Sequence, residues 1–535
     1  MYRPIKDTFQ LATPEPSEPR TNVVPAGNTV VDEILYALHL MSKTRLVLFI
    51  VTIFMCFALV VVVLFVIPCE WSSCIKSTKL KEGQPLWTES VFTDIELKGK
   101  PSVIELDKKI KRLVFIVQGS ILNSQTVPPR TERFPSGGGG LLQLDTLTGK
   151  EMWRKRLDPL PDKVDCTLLN EYHREDSDVF CIVGATAGNL LAVVSSGLHK
   201  GELIWKHTKG QMETNTTKFY SKKDIVYIEF PVIVPDCNKD GVNEMALFQH
   251  INDIPTLLIV SGKNGRPMIN NFNNDNCTKM SDLVLGHDMS LVFICHKSVG
   301  TDSIENLPLK EMLNCTPDWV PEDTDDFPKH HHHPIDENQY SVVAGHFRLN
   351  IINSHYDCPT QCKVIMNVTN SSGDAVWSKH YNNSYAMSPV TFDLRNNISG
   401  FVIKLWIWSS EKNNNDHYVN AEKIVHIEEK TLLIFYNCTR DVNVKELSSK
   451  KILQVCEKDS NCQPKLEYQK HSMELMDMDN KGYQELVTVL STFQLDNTPS
   501  KFTVKDNRVL QLVSKVNVYP LEASLVQHYE TGDYL

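Results

Sequence analysis

From Leu46 to Ile67 the chain holds 22 consecutive residues without a charge, LVLFIVTIFMCFALVVVVLFVI. A helix of that length covers the roughly 30 Å hydrocarbon core of a bilayer, and its uniform apolarity lacks the polar face of a globular helix. The pattern predicts a transmembrane helix over 46–67. Beyond it the pattern changes to short apolar runs broken by glycine turns. Four segments share one spacing: Asp145-Thr-Leu-Thr-Gly149-Lys-Glu-Met-Trp153, Gly197-Leu-His-Lys-Gly201-Glu-Leu-Ile-Trp205, Gly262-Lys-Asn-Gly265-Arg-Pro-Met-Ile269 and Asn370-Ser-Ser-Gly373-Asp-Ala-Val-Trp377. Each places a glycine four residues before a large apolar residue. The runs LLQL, LLAVV and LLIV precede the first three, so the unit reads strand, turn, strand. Successive turn glycines lie 52, 64 and 108 residues apart, the last interval implying two units with one degenerate turn between them. A period of about 50 residues predicts stacked hairpin sheets. The expected fold is all-β: a β-propeller ectodomain of seven or eight blades over residues 80–520, on a single transmembrane helix.

The flanks add topology. Residues 1–45 carry the run PEPSEP and few large apolar side chains, a disordered cytoplasmic tail by composition. Residues 68–79 read as a stalk and 521–535 as a C-terminal tail. The apolar run exits at Pro68-Cys69 instead of a small-residue cleavage site, which makes it an uncleaved signal anchor. Lys43 and Arg45 flank one end and Lys76, Lys79 and Lys81 the other, so charge alone leaves the orientation open. Glycosylation sequons at Asn215, Asn276, Asn314, Asn367, Asn370, Asn382, Asn397 and Asn437 all follow the helix, as do 13 of the 14 cysteines, with Cys56 inside it. Both point to a type II membrane protein with its C-terminal domain lumenal or extracellular, at the cell surface or in a secretory-pathway membrane. Cys166 and Cys181 flank a polar turn between apolar runs and are expected to pair. Cys69 with Cys74, Cys358 with Cys362, and Cys456 with Cys462 are close enough to do so, and spacing leaves them open. A net charge of −10 argues against nucleic acid as a partner.

Two acidic segments carry candidate chemistry. Asp236, Asn238 and Asp240 alternate before Gly241, and Glu244 closes the turn; Asp477, Asp479, Lys481, Gly482 and Glu485 repeat the spacing. Alternating oxygen ligands, a glycine for the reversal and a closing carboxylate suit a hard cation. An EF-hand is excluded, because its twelfth position falls on Leu247. The expected metal set is Asp236, Asn238, Asp240, the Val242 carbonyl and Glu244, with Ca²⁺ as a structural ion; the alternative is an acidic β-turn held by Asx hydrogen bonds. In the second segment Lys481 opposes any metal. Asp477-Met-Asp479 is also the D-x-D of a type II Golgi glycosyltransferase, a rival that requires βαβ units. A quinoprotein-like propeller is a further alternative. His330 to His333 read as a solvated loop ahead of a metal site, and Gly137 to Gly140 as a flexible connector without the Lys-Ser/Thr of a phosphate loop. No G-x-S-x-G, H-E-x-x-H or C-x-x-C occurs.

Taken in order, Val66-Ile67-Pro68-Cys69, the T-G-K-E-x-W turn at Gly149, Cys166 with Cys181-Ile-Val-Gly184, the G-E-x-x-W turn at Gly201 and the acidic loop from Asp236 resemble a known group over residues 45–520. It is the single-pass, FG-GAP-repeat membrane protein family called family with sequence similarity 234, integrin-α FG-GAP repeat containing. The resemblance implies a type II membrane protein with a propeller ectodomain and brings no catalytic residues. Near Asp107, where an acidic loop is expected, this chain reads Asp107-Lys-Lys-Ile-Lys-Arg. The expected role is non-enzymatic recognition of an unknown protein or glycan by blade loops, oligomeric state left open.

Overall fold

The computed structural model describes most of residues 87–525, together with residues 47, 51–52 and 54–56; the longest stretches outside it are 1–46, 57–86, 123–133, 170–178, 314–337, 410–417, 496–509 and 526–535. The chain divides into two units, Met1–Cys74 and Ile75–Leu535. In the first, the described residues of the apolar run are helical and exposed. Among the described residues no helix is long and apolar enough to cross a membrane. The rest of that run, the tail, the stalk, the Cys69–Cys74 pair and His330–His333 lie outside the described residues.

In the second unit the described strands form seven antiparallel sheets that follow one another along the chain. Blade 1 is a four-stranded meander of Ile95–Asp107, Ile110–Gly119, Gly139–Asp145 and Glu151–Leu157. Blade 2 spans Lys163–Asp165 to Lys218–Tyr220, blade 3 Ile225–Tyr227 to Phe272–Asn273, and blade 4 Lys279–Leu285 to Ser303–Pro308. Blade 5 runs from Gln339–Ala344 to Ala375–Asn382 and blade 6 from Ser384–Ala386 to Cys462–Gln463. Blade 7 takes Met473–Met476, Glu485–Leu495 and Leu510–Pro520 from the C-terminal end and its fourth strand, Glu89–Thr93, from the start of the unit. That strand pairs antiparallel with Leu510–Pro520, from Glu89↔Asn517 to Thr93↔Val513.

A sheet between two others buries both faces, so its middle strands are apolar without alternation. Leu190–Ser195 of blade 2 is buried at every position, and Gly139–Asp145 of blade 1 at all but one. The cores lie between neighbouring blades. One joins Leu113, Phe115 and Val117 of blade 1 to Val487, Val516 and Val518 of blade 7. Others join blades 1 and 2, 2 and 3, and 3 and 4. Blades 5 and 6 share one, and three more connect blades 6 and 7. No core cluster of the described residues joins blades 4 and 5.

The recurring turns fasten neighbours. At Gly149, Gly201 and Gly265 φ is positive, and a Cβ there would stand 2.6 Å from the ring of Trp87, Trp153 and Trp205 respectively, each from the preceding blade. Trp87 Nε1 donates to Thr146 O (2.6 Å) and Trp205 Nε1 to Gly262 O (2.8 Å). The glycine spacing in the sequence is therefore an inter-blade contact repeated along the array.

Two expectations are corrected. Gly137 to Gly140 is not a plain connector, because Gly139 and Gly140 open a buried strand where a Cβ would meet Val117 O at 2.3 Å and Lys155 O at 1.9 Å. The C-terminal tail does not start at 521, since Leu521 and Leu525 are fully buried in the core between blades 6 and 7. The interval between Gly265 and Gly373 holds blade 4, with three strands and then the short helix Leu309–Leu313; its Gly300 (φ 105°) stands four residues before Ile304, between two paired strands, as a degenerate copy of the turn.

Candidate cation-binding turn

The two acidic segments occupy the same place in different blades. Each connects the first strand to the second: Val232–Val234 to Glu244–Ile251 in blade 3, and Met473–Met476 to Glu485–Leu495 in blade 7. Their backbones match residue for residue. Lys239 and Asn480 are left-handed (φ 61° and 58°), as are Gly241 and Gly482 two residues on (φ 87° and 79°). Asp236 accepts from Asp240 N (3.1 Å) and Gly241 N (2.8 Å), and Asp477 from Lys481 N (3.1 Å) and Gly482 N (2.6 Å). Asn238 Oδ1 accepts from Asp240 N (2.8 Å) as Asp479 Oδ1 does from Lys481 N (3.2 Å). These are Asx turns, the alternative weighed from the sequence, and among the described residues no three His, Cys, Asp or Glu groups stand close enough to hold a metal ion.

The turns differ in charge. In blade 7 the Lys481 ammonium sits 2.7 Å from Asp479, and Glu485 accepts from Met478 N (3.0 Å). Blade 1, where a two-residue link replaces the acidic loop, pairs Arg112 with Asp145. Blade 3 has Asp240 where blade 7 has its lysine. Glu244 there is buried; Oε2 accepts weakly from Gly262 N (3.4 Å), and Oε1 has no hydrogen-bond partner. Burial, then the Asp240 charge, pushes its carboxyl up to about 7. An orphaned carboxylate oxygen amid further acidic oxygens fits a hard cation. Around it Ser261 Oγ donates to Asp240 Oδ2 (3.5 Å) and Lys263 Nζ to Asp240 O (3.1 Å), linking this turn to the Gly265 turn of the same blade.

Residues 104–311 match the FAM234A/B beta-propeller family. Over that stretch the chain is similar to the FAM234A/B β-propeller. The matched stretch runs from the first strand of blade 1 to the helix after blade 4 and includes the Asp236 turn. No curated protein matches the chain. Among solved structures it is similar to the V. cholerae biofilm matrix protein Bap1, at 9% identity over 79% of this chain and 67% of that one with a TM-score of 0.22. The WD40 domain of SCAP from fission yeast matches 79% of this chain and 98% of its own at 9% identity, TM-score 0.23. Overlaps this loose leave the architecture to be argued from the sheets.

The propeller is cross-linked at its blades. Cys166 and Cys181 are bonded (Cα–Cα 3.9 Å), within the core between blades 1 and 2. Cys277–Cys295, Cys358–Cys362 and Cys456–Cys462 are bonded too, and Cys237 is also in a disulfide. The spacing rule missed Cys277 with Cys295, which meet only because Met280 pairs with Cys295 across two strands. Of the sequons, Asn276, Asn367, Asn370 and Asn382 are described, whereas Asn215, Asn314, Asn397 and Asn437 lie outside the described residues.

Two enzyme-like arrangements resolve into structure. The Asp477 and Asp479 carboxylates of the D-x-D are engaged by Lys481 and Gly482 in a β turn, in a unit built of antiparallel sheets instead of βαβ units. On blade 4 Ser281 Oγ meets His296 Nε2 (2.9 Å) and His296 Nδ1 meets Asp302 Oδ2 (2.8 Å), the order of a nucleophile relay that sequence reading missed. Ser281 Oγ also donates to Asp282 Oδ2 (2.9 Å). The Ser281 hydroxyl has one proton for two neighbours, Asp282 and His296, so this is a shared surface hydrogen-bond cluster.

Proposed function

We propose that this protein is a type II single-pass membrane protein whose lumenal or extracellular propeller serves recognition of a protein or glycan ligand, without catalysis of its own. The observation that carries the orientation is the cysteine state: every described cysteine beyond Cys56 is in a disulfide, the state an oxidising compartment maintains. The propeller supports recognition because rigid blades leave their connecting loops free to vary. Proximity labelling from the C-terminal domain in living cells tests this. Enrichment of surface or lumenal proteins supports it, and labelling confined to cytosolic proteins overturns it.

In the same reading Asp236, Asn238, Asp240, the Val242 carbonyl and Glu244 hold a calcium ion. The ion neutralises the buried Glu244 carboxylate and stiffens the turn. For a dissociation constant on the order of 10⁻⁴ to 10⁻³ M, about 2 mM calcium adds roughly 0.6–1.8 kcal/mol of stability. Calcium should therefore raise the melting temperature of the parent and not that of Asp240→Ala; equal melting with and without calcium reduces the site to a turn.

A further inference from the structure

Blade 5 is built unlike its neighbours. Phe347–Asn353 alternates strictly, with Phe347, Leu349, Ile351 and Asn353 buried, Arg348 and Ile352 exposed, and Asn350 half-buried. One face, through Leu349, Ile351, Val364 and Met366, packs on blade 6. The other face should meet blade 4, the preceding sheet, yet no core cluster of the described residues joins the two. It carries Val343 and Ile352, 52% and 42% exposed, among polar residues, and on blade 4 Ile304 is 73% exposed. Gly373 marks the same break: φ is 89°, positive as at the other turn glycines, but a Cβ there would meet nothing within 4 Å, where those at Gly149, Gly201 and Gly265 meet a tryptophan of the preceding blade.

The strand register places two sequons on this open face. Ser341, Asn350, Asn367 and Ser378 lie in one cross-strand row, Ile352, Ile365 and His380 in the next, and Lys363 opposite Asn382 in the one after. Ser378 Oγ donates to Asn367 Oδ1 (2.6 Å), which turns Nδ2, the atom that receives a glycan, away from that bond. Asn382 is exposed. Asn370, by contrast, sits in the turn with Oδ1 accepting from Ser372 N and Asp374 N (3.1 and 2.9 Å), off this face.

We propose that asparagine-linked glycans on Asn367 and Asn382 cover the face of blade 5 on which the described residues of blade 4 form no shared core, making the seam between blades 4 and 5 a carbohydrate-covered edge of the propeller. The inference rests on the lumenal orientation proposed above. In the transfer Nδ2 forms a bond to C1 of an oligosaccharide carried on a lipid pyrophosphate; the C1–O bond to phosphate breaks, the lipid pyrophosphate leaves, and the amide gives up one proton. Once attached, the sugars supply the hydration that Val343, Ile352 and Ile365 lack.

The test expresses the full chain in a cell with a secretory pathway and compares Asn367→Gln, Asn382→Gln, the double variant and Asn276→Gln before and after glycosidase treatment. Each single variant at blade 5 is expected to lose one glycan's mass and the double variant two. Only the double variant should bind more of a hydrophobic dye or self-associate, since Asn276 lies in a turn before blade 4. Because Asn→Gln could disturb folding, Thr369→Ala, which deletes the Asn367 sequon, is paired with Thr369→Ser, which keeps it and must restore the mass. If the parent shows no glycan, the orientation fails and this inference with it. If the parent is glycosylated and the blade 5 variants lose no mass, the orientation stands and the inference is overturned. Loss of both glycans without added dye binding overturns the covering role.

Discussion

Glu244 and Glu485 open the second strands of blades 3 and 7, and burial, the largest cause in each, moves both carboxyls from 4.5 to about 7. Glu96, fully buried in blade 1, shifts equally: Oε1 accepts from Lys465 N (2.7 Å) and Oε2 has no partner. A carboxyl raised in the folded state binds protons there that the unfolded chain releases, so stability falls as pH climbs from about 4.5 to about 7 and then levels off. For Glu96 a shift of this size corresponds to roughly 3 kcal/mol. Glu96→Gln should therefore melt higher than the parent at pH 8 and much like it at pH 5, because Gln presents a neutral amide to the Gln118 and Gln469 oxygens left unpaired nearby. Glu244→Gln should show the same gain at pH 8 without calcium and lose the calcium increment. A parent whose melting temperature is flat between pH 5 and 8 would contradict both expectations. Glu244 Oε2 and Trp205 Nε1 engage the N–H and C=O of the same glycine, Gly262, so the charge on this one carboxyl bears on the joint between blades 2 and 3.

At the scale of the element, the turn glycines separate conformational from packing cost. Ala at any of Gly201, Gly265 or Gly373 must adopt a left-handed φ, at roughly 1–2 kcal/mol. At Gly201 and Gly265 the added methyl also collides with a tryptophan ring at 2.6 Å, whereas at Gly373 it meets nothing within 4 Å. Gly201→Ala and Gly265→Ala should each lose about 1–3 kcal/mol more than Gly373→Ala, read from denaturant midpoints. Equal losses would mean that the indoles yield freely. These turns were legible in the sequence because a left-handed glycine and a tryptophan recur at fixed spacing along one chain. The Asp236 turn was legible for the same reason. What sequence could not show is set by register between distant residues: the Arg112–Asp145 pair that replaces an acidic loop, the Cys277–Cys295 bond, and the backbone contacts that forbid a side chain at Gly140. Blade count stayed at seven or eight because the blade 4 turn carries Gly300 with Ile304 where most of the others carry a glycine with a tryptophan.

Across the whole molecule, blades 1 to 4 share cores in succession and so do blades 5 to 7, while the described residues offer no shared core between 4 and 5. Among the described residues the junction of blades 7 and 1 is then the shared core that unites two halves of the array. That junction depends on chain segments more than 400 residues apart: Phe92 and Trp87 enter its core, and Glu89–Thr93 completes blade 7. Within blade 7 Ser514 Oγ donates to Ile95 O (2.7 Å), a direct bond between the C-terminal strand and blade 1. Departure of one five-residue edge strand would strip the junction and expose the edge of Leu510–Pro520. Joining the pair covalently should therefore protect the entire unit. Glu89 and Asn517 stand directly opposite each other, and Glu89 is exposed, so Glu89→Cys with Asn517→Cys places a disulfide where no core residue is disturbed. A cross-link closing so long a loop stabilises by up to about 5 kcal/mol. The oxidised double variant is expected to melt above the parent and to return to it on reduction, with either single variant unchanged. If the oxidised form melts with the parent, the array yields first at some other joint, and the closing strand is an ornament on blade 7 instead of the clasp of the ring.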